Sequence, residues 1–120
     1  MKTNFDIDLV LASYLETLIW SSVDFETESF DGLGIYDFAK DARAKCKSDI
    51  EKFISLVDAN PLAVSEAIQY DNNMFGHNFA LSRNGHGAGF FDEYCDTLQQ
   101  MCRDFGGAEI YVWRKKIRLY

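Results

Sequence analysis

Apolar positions between Asp8 and Trp20 recur at helical spacing. Leu11, Tyr14, Leu15, Leu18 and Ile19 fall on one side, which predicts a helix buried along one face. From Ser21 to Tyr36 no period holds, and acids together with Gly32 and Gly34 mark a loop. Periodicity returns from about Asp37 to Ala59, where Phe38, Ala42, Cys46, Ile50, Phe53, Ile54 and Val57 form one apolar stripe. Asn60 followed by Pro61 is an N-cap with proline at the first helical position. It predicts a short helix to about Gln69, which Asp71 to Asn73 break.

Between Gly76 and Asp92 the pattern changes to alternation around Asn84-Gly85, the dipeptide best suited to a two-residue turn with positive φ at both positions. The expectation is a β-hairpin in which Arg83 faces His86, Leu81 faces Ala88 and Phe79 faces Phe90. One face then carries His77, Phe79, Leu81, Arg83, His86, Ala88 and Phe90. The other, with Asn78, Ala80, Ser82, Gly87, Gly89 and Phe91, is nearly bare backbone that a helix, ring or ligand can approach closely.

Phe91, Tyr94, Cys95, Leu98, Met101, Cys102 and Phe105 resume helical spacing, with Asp92 and Glu93 in the first turn, and Gly106-Gly107 stop that helix. Ala108 to Trp113 and Ile117 to Tyr120 are then two strands of a second hairpin whose Arg-Lys-Lys turn lacks glycine. This order predicts an α+β fold. A small antiparallel β-sheet of two hairpins packs with about four helices in one compact domain spanning residues 1–120.

A chain of 120 residues with 48% hydrophobic content suits a domain with its own core. No apolar run reaches the roughly 20 residues needed to span a bilayer, and no secretory signal pattern is seen, so a cytoplasmic protein is expected. The net charge of −7 disfavours nonspecific binding to nucleic acid or anionic membrane and favours basic protein partners. Charge is unevenly placed. Asp24, Glu26, Glu28, Asp31 and Asp37 gather in one segment, while Arg114, Lys115, Lys116 and Arg118 gather near the C-terminus. The plain reading of the acidic group is a solvated loop, and the functional one is a patch that docks a basic host protein or imitates phosphate spacing.

The three cysteines fall on apolar helix faces without zinc-site spacing, so packing and reduced thiols are expected. His77 and His86 lie toward opposite ends of the expected hairpin and cannot share an ion, so no metal and no cofactor is expected. The better constellation is Arg83 with His86, a fixed guanidinium beside an imidazole that titrates near neutrality. With Asn84, the amides of Gly87 and Gly89, and Asp92, it makes a candidate anion-binding set. Its plain alternative is a polar pair that merely closes the turn. The run Gly85-His-Gly-Ala-Gly matches neither a P-loop nor a dinucleotide fingerprint.

Residues 14–22, Tyr-Leu-Glu-Thr-Leu-Ile-Trp-Ser-Ser, residues 76–92 and the closing Ile110-Tyr-Val resemble a family of small uncharacterised proteins of bacteriophages and prophages. The likeness spans most of the chain, and its hairpin motif is specific. The family usually has Trp at Phe91, Thr at Ser82, Arg at Glu93 and an Asp-Gly turn at Arg114 to Lys116, so the start of the following helix is more acidic here. The resemblance implies phage origin and no particular chemistry. The expected function is that of a non-enzymatic accessory protein in the host cytoplasm, binding and modulating a host macromolecule of defence or transcription. A host protein is the expected partner, and self-association into a homodimer stays open. The alternative is a small enzyme or nucleotide-binding protein using Arg83 and His86, and a third reading is a virion or assembly component.

Overall fold

The free amides of a helix's first turn are often accepted by a short polar side chain just before it, and Asp6, Asn60 and Asp71 do this for three of the five α-helices among the described residues. The computed structural model describes residues 2–22, 29–86, 88–91 and 93–120. Helix α1 is Ile7–Ser21, started by Asp6, whose carboxylate accepts from the amides of Asp8 at 3.0 Å and Leu9 at 3.3 Å. A single 3-10 turn, Ile35–Asp37, leads into α2, Lys40–Asp58. Asn60 caps α3, Pro61–Ala67, and Asp71 caps α4, Asn72–Arg83. Helix α5, Asp96–Phe105, has a cap supplied from elsewhere: the Glu66 carboxylate of α3 accepts from the amides of Leu98 at 2.9 Å and Thr97 at 3.3 Å. Strands β1, Ile110–Trp113, and β2, Lys116–Leu119, form a two-stranded antiparallel ribbon with Tyr111 opposite Arg118 and Trp113 opposite Lys116.

The architecture is α+β, with five α-helices and one hairpin among the described residues. The expected hairpin at residues 76–92 is not formed, because residues 72–83 are helical. Asn84-Gly85 serves that helix as its stop. Asn84 keeps a negative φ of −93°, and Gly85 alone turns left-handed at +71°. The amide of His86 donates to Leu81 at 3.2 Å and that of Gly85 to Ser82 at 3.3 Å, the paired bonds of a Schellman cap. A type I′ turn and this cap both require glycine at positive φ, so the dipeptide does not distinguish them. The alternation misled because α4 is buried on nearly every side: Phe75, Gly76, Asn78, Phe79, Ala80, Leu81, Ser82 and Arg83 all lie inside. A helix without a solvent face shows little 3.6-residue period.

Glycine decides how closely α4 can pack. A Cβ on Gly76 would stand 2.4 Å from the Val10 carbonyl oxygen, so α1 and α4 meet backbone to backbone at this point. Phe53 of α2 stacks on Phe79 with ring centroids 4.2 Å apart, and Phe105 of α5 meets both edge-on at 5.7 Å. After α4 the chain turns back across it. The Phe90 amide donates to Ser82 Oγ at 2.9 Å, and Phe90 is fully buried. Phe91 and Tyr94, expected on the buried face of a helix, are exposed and lie in turns before α5. Ile110, Val112 and Ile117 of the ribbon face the core, and the Ala39 amide donates to the Ile117 carbonyl at 2.8 Å, tying β2 to the start of α2. Among the described residues no helix is long and apolar enough to cross a membrane.

Candidate functional site

Arg83 is the last residue of α4, and its side chain runs inward. Its Nε donates to the Gly106 carbonyl at 2.9 Å; its Nη1 donates to Tyr14 Oη at 2.9 Å and to Asp49 Oδ2 at 3.0 Å. The guanidinium also lies 5.2 Å from the Phe79 ring centroid and 5.0 Å from that of Phe105. Arg83 is 7% exposed and Asp49 5%. A buried ion pair of this kind carries a large desolvation cost, and its geometry has to satisfy the remaining lone pairs and protons. Here Lys45 Nζ supplies the second oxygen of Asp49 at 2.8 Å. Burial pushes the Tyr14 hydroxyl above its usual range and Arg83 draws it back, so the phenol stays a neutral acceptor.

The expected constellation is therefore taken apart. His86 is exposed beyond the helix cap, while the Arg83 guanidinium is committed to Asp49, Tyr14 and Gly106. Asn84 pairs with the backbone of Ala108, accepting its amide at 2.7 Å and donating to its carbonyl at 3.2 Å. Gly89, at φ +74°, packs its backbone on α4; a Cβ there would meet Ser82 Oγ at 2.6 Å and the Asn78 carbonyl at 2.7 Å. The bare face expected of a hairpin does not exist, because Asn78, Ala80 and Ser82 belong to a helix, and the close approach to α4 is that of Gly89. Asp31 is exposed, and its amide donates to Ser29 Oγ. The candidates Gly87, Asp92, Asp24, Glu26 and Glu28 lie outside the described residues. His77 bridges α1 and α4, with Nδ1 3.0 Å from Thr17 Oγ1 and its ring 5.9 Å from that of Trp20.

All three cysteines are buried and free. Burial pushes the Cys46 and Cys102 thiols up to about 12, which leaves them without thiolate near neutrality. Among the described residues no group of three His, Cys, Asp or Glu side chains is placed to hold a metal. Beside the buried pair opens a groove of about 770 Å³ between α2, α5 and the ribbon, lined by Lys45, Asp49, Lys52, Leu56, Phe105 and Tyr120 among others.

The ribbon has a second, solvent-directed face. Alternation turns Tyr111 and Trp113 of β1 and Lys116 and Arg118 of β2 outward, and Tyr120 continues the strip with its ring 4.7 Å from that of Tyr111. Arg114 lies 5.8 Å over the Trp113 ring, and Arg118 Nε donates to the Trp113 carbonyl at 3.2 Å. At the turn, Arg114 and Lys115 both take left-handed φ, +53° and +62°, the conformation that Asn-Gly would adopt more cheaply. Sequence reasoning missed this strip and Asp49, although both left a signal. The strip is visible as aromatic and basic residues at alternate positions, and Asp49 as the one acid on the apolar stripe of α2, between Cys46 and Phe53. No family model, curated protein or solved structure matches the chain.

Proposed function

We propose that the protein is a small acidic phage accessory protein that acts in the host cytoplasm by binding and modulating a host macromolecule, as takeover and anti-defence factors do. The phage origin rests on the resemblance of residues 14–22, 76–92 and 110–112. The binding role rests on one observation, the outward face of the ribbon. There Trp113 is 53% and Tyr120 81% exposed beside Lys116 and Arg118, on an otherwise acidic molecule. Large aromatics held in water next to arginine are the groups that dominate interface energetics. The alternative, an enzyme or anion-binding site built on Arg83 and His86, is disfavoured because the Arg83 guanidinium is spent on buried partners.

Affinity capture from infected host cells tests the reading. Wild-type protein is expected to retain a stoichiometric host component that a Trp113→Ala, Lys116→Glu variant loses, and a phage lacking the protein is expected to grow poorly on defended hosts. Equal capture by both proteins, together with normal growth of the deletion phage, would overturn it.

A further inference from the structure

We propose that the outward face of the β1–β2 ribbon binds single-stranded RNA, an inference that rests on the binding role assigned above to the same face. Residues 110–120 hold four of the chain's twelve cations and no acid, so the sign of the charge reverses on this one element. The strand positions that point outward, Tyr111, Trp113, Lys116 and Arg118, include no aliphatic side chain and no carboxylate. Glu109, at the foot of the ribbon opposite Tyr120, ends the strip. Protein partners are usually anchored by a large side chain seated in a pocket. This face instead offers exposed Trp113 and Tyr120 rings, with Tyr111 half-buried beside Tyr120, Arg114 over one side of Trp113, and Lys116 and Arg118 alongside. Such a set of aromatics and cations matches unpaired bases, each with a π-face to stack, and their phosphates.

Spacing fits the same partner. Tyr111 and Trp113 are two residues apart on one strand, about 7 Å, so successive rings can take successive bases of an extended strand. Two of the three aromatics are tyrosines, and a phenol hydroxyl can both donate to and accept from the ribose 2′-hydroxyl that DNA lacks. The turn adds an independent sign. Arg114 and Lys115 hold a left-handed backbone conformation that is strained for any residue with a side chain, and strain of this type gathers at functional sites. The acidic remainder of the molecule works against duplexes, whose bases are already stacked and whose charge is densest. The net charge of −7 therefore disfavours a general nucleic-acid binder and is compatible with a local strip.

The test is fluorescence anisotropy of a labelled, unstructured RNA of about 12 nucleotides titrated with the whole protein. Neutralising three or four phosphates gives a salt slope of roughly −2 to −3, a loss of about 15- to 60-fold in affinity between about 50 and 200 mM salt. Trp113→Ala is expected to weaken binding by about tenfold. The double variant Lys116→Gln, Arg118→Gln is expected to lower the salt slope by about 1.4. Trp113 and Lys116 are exposed and Arg118 is half-buried, so the melting temperature should move little, and measuring it for each variant separates lost binding from lost folding. No anisotropy change with about 100 μM protein at low salt would overturn the proposal. So would equal affinity for the same sequence as DNA, for a duplex, or for an oligoglutamate peptide. Host capture that depends on Trp113 yet survives RNase treatment would keep the binding role and overturn the RNA assignment.

Discussion

Asp49 and Arg83 are a pair whose members are worth more together than either is alone. In water both would be well solvated; inside, each is tolerable only because the other, with Lys45, Tyr14 and the Gly106 carbonyl, completes its hydrogen bonds. Asp49→Asn is expected to cost about 3–5 kcal/mol, since it leaves the Arg83 charge buried without a counter-ion, and Arg83→Met is expected to cost less, because Lys45 still pairs with Asp49. The double variant Asp49→Leu, Arg83→Met should be markedly more stable than the sum of the two losses allows. Urea unfolding of the four proteins measures the coupling, and strictly additive losses would show that the pair is not the unit. Arg83 was visible in the sequence as a residue to watch. Its role was not, because Asp49 lies 34 positions away and only folding brings them within 3.0 Å.

Helix α4 and its exit show how one local signal serves two elements. Gly85 and Gly89 both have positive φ, yet a Cβ on Gly85 meets nothing within 4 Å while one on Gly89 strikes Ser82 and Asn78. Gly85→Ala is therefore expected to cost only the backbone strain, about 1 kcal/mol. Gly89→Ala should cost roughly 2–4 kcal/mol, because overpacking is added to strain. Thermal or denaturant unfolding checks the order, and a Gly85→Ala loss equal to that of Gly89→Ala would contradict it. Helices α1, α2 and α3 and the C-terminal hairpin were readable from period and caps, since each keeps a solvent face or a local punctuation residue. Helix α4 was not, because beyond its exposed first turn it is enclosed by α1, α5 and the returning chain, and burial on nearly every side erases the polar half of the pattern.

Across the whole molecule, burial of ionisable groups sets an alkaline limit to stability. Cys46 and Cys102 rise from 9.0 to about 12, and Tyr14 shifts in the same direction. A folded-state value above the unfolded one means that the unfolded chain loses its proton first. The stability these thiols contribute is full below about pH 9 and is lost as pH rises from there toward 12. The urea midpoint is expected to hold between about pH 7 and 8 and to fall above 9, less steeply in a Cys46→Ala variant; a midpoint flat to about pH 11 would refute this. The charge map belongs to the same scale. A net −7 describes the average, whereas the ribbon, with four cations and no acid, carries a local field of the opposite sign.

By itself the sequence determined whatever depends on neighbours along the chain: the α+β class, the helix that Asn60-Pro61 starts, a turn at Asn84-Gly85, and a C-terminal hairpin with a basic turn. Only the tertiary structure decided whether Asn84-Gly85 closes a hairpin or a helix, whether Arg83 faces His86 or Asp49, and which face of the ribbon meets water. The physical reason is that capping and turn energies are local and recur in several folds. The choice between them is made by burial of Phe79, Phe90 and the Asp49–Arg83 pair, groups whose contacts span distant parts of the chain.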